Sequence, residues 1–244
     1  MARFLGVLID NKLTWSQHIA ALKSKMSRYI GIAYKLRNIL PLSVRKMIFN
    51  SQFQSHLNYC SLVWGSSCKS NIESLFTAQK KAIRSIIPGH VNYHYNNGTC
   101  PTHTKPAFTD FKILTVHNVI LKNIIIFMNK IHNFPSSLPI SVKNTISPSS
   151  SSPYSDTDYN SDWYNNYNQT PYNTSTFFKG PLFYTNIMTE NPSFQAPKSL
   201  DSYKQRIKQH LLEVQCSGDA QEWESTNFKL SNLPGLRRSA RLNV

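Results

Sequence analysis

Acidic side chains are scarce in the first 150 residues of this chain, where only Asp10, Glu73 and Asp110 occur. Two-metal phosphoryl transfer needs clustered carboxylates to hold Mg²⁺, and no two aspartates are adjacent anywhere in the sequence. The sequence also lacks a Gly-rich phosphate loop, a G-x-S-x-G segment and an H-E-x-x-H segment. These absences predict that the chain has no catalytic residues of its own.

Cysteine is also rare, and its spacing argues against the common metal sites. Cys60, Cys68, Cys100 and Cys216 form no C-x-x-C pair, whereas a zinc knuckle needs two close pairs of ligands. A metal site built from Cys60, Cys68 and His56 is the alternative to buried free thiols, and the spacing favours the thiols. We therefore expect no metal ligands and no cofactor in this chain.

Long apolar runs are absent as well. The start of the chain carries only a short apolar run, and residues 113–128 are interrupted by His117, Asn118, Lys122 and Asn123. A secretory signal and a membrane span are therefore not expected. We predict an intracellular protein of the nucleus or cytoplasm, not a secreted one, with reduced cysteines and no membrane partner.

Basic residues, by contrast, are abundant and concentrated towards the N-terminus. The formal net charge is +15, of which residues 1–90 carry +11, residues 91–150 carry +4 and residues 151–244 carry none. A field of one sign concentrated in this way favours a polyanionic partner, most commonly nucleic acid. The alternative is a generic solubilising surface, which normally carries charges of both signs.

The patterns along the chain predict a mainly α-helical fold that begins with a short β-hairpin. Residues 4–9 are apolar and rich in β-formers, and Asp10-Asn11-Lys12 is a turn signal. From Ser16 to about Leu40, apolar residues recur at steps of three and four, which predicts a helix. This apolar stripe consists of Ile19, Leu22, Met26, Ile30, Ala33 and Leu36.

Two more helices are predicted in the basic region. One runs from Leu42 towards Cys60. The next opens at Ser70 with the Ser-Asn-Ile-Glu pattern of a capping box and stops before Pro88. With the first helix they make a small bundle whose outer side is cationic.

The rest of the chain predicts two further helices. One spans about Thr109 to His132 and has an apolar middle, which should be buried on most sides, and the other covers roughly residues 200–214. Trp15 and Trp64 lie at apolar helix boundaries, so we expect core anchors rather than base-stacking residues.

We divide the chain into six segments on these patterns. The C-terminal helix lies in the fifth segment, between a polar insert and a tail. The insert consists almost wholly of Ser, Asn, Tyr, Asp, Thr and Pro, so we expect it to be disordered. The segments are a hairpin (1–13), a basic helical bundle (14–90), a connection with a buried helix (91–146), the low-complexity linker (147–176), a C-terminal helical segment (177–216) and the tail (217–244).

Five blocks of sequence follow one another over about residues 3–214, and their order is informative as well as their residues. They are F-L-G-V-L-I-D with L-T-W-S-Q-H-I (from Phe4), L-N-Y-C-S-L-V-W-G (from Leu57), A-Q-K-K-A-I-R-S-I (from Ala78), F-M-N-K-I-H-N (from Phe127), and K-G-P-L-F (from Lys179) with S-L-D-S-Y-K (from Ser199). Together they resemble the primer-grip hairpin, thumb and following region of Jockey-like non-LTR retrotransposon reverse transcriptases. The chain departs from that family at Phe183, where Trp is usual, in a missing Leu-Pro pair after it, and in the polar insert.

The resemblance implies a thumb-like fold and a fragment of an RNA-directed DNA polymerase. The family's catalytic aspartates, and the Mg²⁺ they hold, belong to a palm region upstream of these blocks, so this chain is expected not to polymerise. Phe4, Leu5 and Gly6 correspond to the hairpin that holds the primer end. Gly6 would allow close approach of the backbone to nucleic acid, or would simply be a small residue at a strand crossing.

The basic helices are expected to contact the phosphates of a template–primer duplex of RNA or DNA without reading its sequence. The alternative for these cations is a solvated helix surface. The residues concerned are Lys23, Lys25, Arg28, Lys35, Lys80, Lys81 and Arg84.

Two other hypotheses remain open. In the first, the apolar helices define a protein-interaction module that binds the palm region or a second copy of the chain. In the second, the chain is a retroelement relic without a maintained role.

Overall fold

A short hairpin followed by a set of packed helices makes up the part of the chain that the computed structural model describes, namely residues 1–87, 104–133, 184, 187–188, 194 and 199–217. This confirms the predicted fold class. The elements are β1 (Ala2–Phe4), β2 (Val7–Ile9), α1 (Ser16–Leu36), α2 (Leu42–Ile48), a π-helical segment (Phe49–Gln54), α3 (Ser55–Asn58), α4 (Ser61–Trp64), α5 (Lys69–Ile86), α6 (Lys105–Asp110), α7 (Val116–Asn133) and α8 (Leu200–Ser217).

The hairpin has a two-residue turn and leads into α1 through a loop organised by one carboxylate. Strands β1 and β2 are antiparallel, with Phe4 opposite Val7. Asp10 accepts hydrogen bonds from the backbone N–H and hydroxyl of Thr14, at 3.0 and 2.7 Å, and from the backbone N–H of Trp15 at 3.1 Å. These hydrogen bonds lower the pKa of Asp10, and those from Thr14 have the largest effect. The predicted turn at residues 10–12 is thus confirmed.

Helix α1 buries the stripe that its periodicity predicts. Ile19, Leu22 and Met26 are buried, and Ile30 and Ala33 pack partly buried against the core. The helix lies along α5. It ends four residues earlier than expected, and the backbone N–H of Leu40 donates to the carbonyl of Leu36 in the turn that follows.

The predicted helix from Leu42 towards Cys60 is interrupted. Its middle is π-helical, and Phe49 and Phe53 stack there with ring centroids 5.1 Å apart. Both rings also contact buried Tyr29 of α1. The helix ends at Asn58, because Cys60 adopts a left-handed conformation with φ of 50° that redirects the chain into α4.

Helix α5 begins without the predicted capping box. It starts at Lys69, and no side chain caps it. The side chain of Glu73 instead lies beside the imidazole of His117 on α7, with Oε1 3.5 Å from Nε2. The prediction was wrong because the helix begins one residue before Ser70, so Ser70 lies inside the helix and cannot be its N-cap. At the other end, buried Arg45 donates a hydrogen bond from its guanidinium to the carbonyl of Ile86.

The predicted helix from Thr109 to His132 is two helices, α6 and α7, so this prediction was also wrong. The chain turns between them at residues 111–115, where Lys112 has φ of 52°. Buried Gln79 donates to the carbonyl of Leu114 at 2.9 Å and accepts from the N–H of Val116 at 2.8 Å. Buried Gln215 donates to the carbonyl of Ile113 at 3.0 Å and accepts from the N–H of Thr115 at 3.1 Å. We call residues 111–116 the clamped turn, because these two amides satisfy four of its backbone groups.

One hydrophobic core joins these helices. Helix α7 packs against α3, α4, α5 and α8 and is largely buried, as predicted. Trp15 and Trp64 are buried, which confirms their expected role as core anchors. Gly65 follows α4 where it meets α7, and a Cβ atom there would lie 2.7 Å from Cγ2 of Ile120.

Several predictions lie outside the described residues, namely the disorder of 147–176, the tail and most of the connection before α6. In the stretches that are described, no helix has both the length and the apolar character needed to cross a membrane.

Candidate nucleic-acid interface

The hairpin tip is exposed and contains the residues expected to contact a primer. Phe4 is 65% exposed and Leu5 is 72% exposed. Leu5 and Gly6 have φ of 46° and 81°, as a type I′ hairpin turn requires at its two central positions. Among the described residues other than Gly6 and its two neighbours in the chain, no heavy atom lies within 4 Å of a Cβ built on Gly6. Gly6 is therefore suited to its site by its conformation rather than by crowding within the chain.

The base of the hairpin is held by a buried histidine. The backbone N–H of Leu8 donates to Nδ1 of His18, at 3.4 Å, and the ring of His18 lies 6.4 Å from that of Trp64. Burial, and then the charge of Lys25, lower the pKa of His18. Both effects favour the neutral imidazole, and only a neutral ring has a nitrogen that accepts the hydrogen bond.

The tip of the hairpin is held by Tyr59, which follows α3. The Tyr59 hydroxyl donates to the carbonyl of Leu5 at 2.6 Å, across 54 positions of sequence. The Tyr59 carbonyl in turn accepts from Nε1 of Trp64 at 2.8 Å. Nothing local in the sequence predicts this role of Tyr59, because the turn to which it bonds is far away in the chain.

The four basic residues predicted on α1 divide by exposure. Lys25, Arg28 and Lys35 are exposed, whereas Lys23 is half-buried. The charge of Lys25 lowers the pKa of both His18 and His56, after the larger effect of burial. Lys25 is therefore close enough to both histidines, His18 on α1 itself and His56 on α3, for its charge to act on them.

The three basic residues predicted on α5 have different neighbours. Lys81 and Arg84 are exposed, as expected, but Lys80 is half-buried, with its ammonium 4.5 Å from the centroid of the Phe76 ring. Phe76 contacts Phe108 and His117, so Lys80 lies on the flank of α5 that faces α6 and α7. The contacts thus place Lys25 and Lys80 in separate surroundings.

The three cysteines among the described residues are free thiols, but they are not buried as expected. Cys68 is exposed, and Cys60 and Cys216 are half-buried. The side chain of Cys68 points to Ser70, with Sγ 3.2 Å from Oγ, and this contact is the first cause of its lowered pKa. In the described stretches, no group of three or more His, Cys, Asp or Glu side chains is placed to hold a metal ion.

The comparisons with known proteins give one partial similarity. No protein-family model and no solved structure matches the chain. Over 88 residues, which are 35% of the chain, it is 31% identical to a probable RNA-directed DNA polymerase from transposon X-element of Drosophila melanogaster. The matched stretch covers 10% of that relative. Over about a third of its length, this chain is therefore similar to one part of a transposon-encoded polymerase.

Proposed function

We propose that this chain is a retroelement-derived fragment that binds RNA or DNA through backbone phosphates, without sequence specificity. One observation carries the proposal: Lys25, Arg28 and Lys35 are exposed on α1, and within the described residues none of them pairs with a carboxylate. Their spacing of three and seven residues puts them on one side of the helix. The similarity to a transposon polymerase supports the same reading.

The finer part of the proposal concerns how binding and catalysis are divided between this fragment and another region. We propose a thumb-like role, in which the chain holds a template–primer duplex while a separate palm region supplies the carboxylates and Mg²⁺. The positions of the acidic residues support this role, since Asp10 organises the loop before α1 and Glu73 contacts His117. Each of these two carboxylates thus already has a partner within the chain. A primer-extension assay with Mg²⁺ tests this part, and extension by the purified chain would contradict it.

Salt dependence tests the phosphate contacts. With about five contacts, log K plotted against log[salt] is expected to have a slope near −4 to −5, because each contact releases condensed counterions. Fluorescence anisotropy with a labelled duplex measures the slope. Absence of binding at low salt, or a flat dependence, would refute the proposal.

A pair of matched variants locates the contacts. The double variant Arg28→Gln, Lys35→Gln is expected to reduce the magnitude of the slope by about 2, since two phosphate contacts are lost. The control is Lys204→Gln, Lys208→Gln, which removes two exposed lysines from α8. It should leave the slope unchanged. Equal slopes for the two doubles would mean that α1 is not the binding surface.

A second candidate function is a protein-interaction module. Exposed apolar side chains near the end of α1, in the turn after it and on α2 favour it, notably Ile32, Ile39 and Met47, at 57%, 74% and 64% exposure. Such side chains promote association when they form a continuous patch. Size-exclusion chromatography with light scattering separates the candidates, since a monomer at micromolar concentration argues against self-association through this region.

A further inference from the structure

Arg45 of α2 is a buried cation without a carboxylate partner. It is 7% exposed, and no salt bridge among the described residues includes it. Its guanidinium donates to the carbonyl of Ile86 at the end of α5, but its Nε is buried without a hydrogen-bond partner. Buried charges in proteins are normally paired, because an uncompensated one is strongly destabilising. The burial of Arg45 therefore implies an anionic partner that the described residues do not supply.

A small cavity lies beside this guanidinium, and we call it the Arg45 cavity. Its volume is about 10 Å³, and it is lined mainly by apolar side chains of α1, α2, the end of α5 and the turn after α1. The Ser85 hydroxyl, which also lines it, already donates to the carbonyl of Ala82 at 2.6 Å. A volume of this size holds about one oxygen atom. A flat carboxylate can insert one oxygen here, whereas a tetrahedral phosphate is bulkier around the inserted atom.

Exposed apolar side chains flank the residues that line the cavity. Ile39 and Leu42 lie on either side of the lining residue Leu40 and are 74% and 40% exposed. Met47 precedes the lining residue Ile48 and is 64% exposed. Exposed apolar side chains close to one another are typical of protein-interaction sites. A polypeptide has apolar side chains that can cover them, and a nucleic-acid backbone does not.

The charge around the cavity favours an acidic polypeptide. No Asp or Glu occurs between Asp10 and Glu73, so the charged side chains of α1 and α2 are all basic, among them Arg28, Lys35 and Lys46. If the same surfaces of two copies faced each other, these like charges would meet, which opposes association. An acidic segment of another protein brings the complementary charge.

We propose that the Arg45 cavity and the exposed apolar residues beside it form a docking site for an acidic, apolar segment of a partner protein, with one carboxylate of that segment paired to Arg45. A carboxylate matches the planar guanidinium, and charge-assisted hydrogen bonds of this kind are stronger than neutral ones. The docking site rests on the second candidate function and specifies its partner. It does not depend on phosphate binding.

The test uses three labelled synthetic peptides that differ in charge or in apolar content. The first consists of Glu and Leu, with Leu at helical steps of three and four, the second has Gln in place of Glu, and the third has Ser in place of Leu. Fluorescence anisotropy should show that the first binds about tenfold more tightly than either of the others, because the site recognises both features. Equal binding of the first and third would indicate attraction to any polyanion, and equal binding of the first and second would indicate apolar contact alone. Either result would overturn the docking site.

Variants of the chain locate the binding of the Glu–Leu peptide. Arg45→Met keeps most of the side-chain volume and removes the charge, so it should weaken binding about tenfold. Leu42→Ser should weaken it about fivefold through lost apolar contact. Val63→Ser is the matched control, because Val63 is 43% exposed on α4 but neither lines nor flanks the cavity. Affinity for a nucleic-acid duplex should not change in any of them, and circular dichroism melts check that they are folded. An equal loss of duplex and peptide binding in Arg45→Met would assign Arg45 to nucleic acid and overturn the docking site.

A second measurement needs no variant. The Nε–H of Arg45 gives a proton–nitrogen NMR signal, which should shift when the Glu–Leu peptide is added, and an unchanged signal at saturating peptide would overturn the pairing. A wild-type dimer that Leu42→Ser dissociates, without peptide binding, would assign the surface to a second copy and also overturn the docking site. Failure of the wild type to bind a duplex would instead refute phosphate binding and leave the docking site standing.

Discussion

The hairpin tip and the clamped turn are both short connections held by side-chain hydrogen bonds from distant residues, but they differ in burial. At the tip, one hydroxyl bonds to one carbonyl, and the surrounding side chains remain open to solvent. At the clamped turn, Gln79 and Gln215 satisfy four backbone groups, and both glutamines are buried.

The difference shows how burial decides what the same kind of bond contributes. A hydrogen bond in contact with water can be replaced by bonds to water when it breaks, so its loss changes stability little. A buried backbone group has no such replacement, and leaving it unpaired costs its full desolvation. The clamped turn is therefore expected to contribute to stability, and the tip to binding. The predictions below test this distinction.

The largest effect is expected from Gln79→Met, which keeps the size of the side chain but removes both bonds to the clamped turn. Two buried backbone groups lose their partners, at about 1–3 kcal/mol each, so the free energy of unfolding should fall by about 2–6 kcal/mol. Urea denaturation measures it. Gln209→Met is the control, because Gln209 is exposed on α8 and bonds only to Glu213. A loss for Gln79→Met no larger than that of the control would contradict the role of burial.

A smaller effect is expected from the protonation of His117, which packs beside Phe76 next to the clamped turn. Burial, and then the charges of Lys69 and Lys80, lower its pKa from 6.5 to about 4. These effects outweigh the attraction of the nearby Glu73 carboxylate, because that carboxylate is partly solvated. The folded protein therefore resists a proton that the unfolded chain accepts.

The sign of the resulting pH dependence follows from linkage. Above pH 6.5 both states hold a neutral His117, and the free energy of unfolding does not depend on it. As the pH falls from about 6.5 to about 4, the unfolded state binds the proton first, so up to about 3 kcal/mol of stability is lost. His117→Gln should remove this part of the pH dependence in denaturation measured at pH 7 and pH 4.5. His56→Gln, at a less buried position, should remove less. A wild-type stability that is constant over this range would rule out a buried neutral His117.

The smallest effect on stability is expected at the hairpin tip. Tyr59→Phe removes only the partly exposed bond to Leu5, so the free energy of unfolding should change by less than about 0.5 kcal/mol. Thermal melts followed by circular dichroism measure this. A loss comparable to that of Gln79→Met would show that the tip is part of the stabilising core, and the comparison between the two regions would fail.

Local spacing in the sequence predicted much of the fold. The stripe of Ile19, Leu22 and Met26 is buried because residues three and four apart share one side of a helix whatever surrounds it. The same reasoning placed Lys81 and Arg84 on the outside. This reasoning failed for the helix from Thr109 to His132. Its apolar pattern continues across a turn whose backbone is hydrogen-bonded by two distant glutamines.

The candidate site was predicted only in part. Phe4, Leu5 and Gly6 were placed in a hairpin, and the structure puts them at its exposed tip. Tyr59 and His18 were missed, since their bonds to the hairpin join segments that no spacing rule connects. The capping box failed because the helix begins at Lys69, so Ser70 lies inside the helix instead of capping it.

The sequence by itself determined the helical class, the hairpin and the concentration of basic charge in the first 90 residues, because these depend on composition and on spacing within a few turns of chain. Only the tertiary structure decided where the helices break, which histidines stay neutral and which aromatic rings remain exposed. Those outcomes depend on hydrogen bonds and burial between residues far apart in the chain, such as Tyr59 with Leu5 and Gln215 with Thr115. Such contacts exist only once the helices have packed.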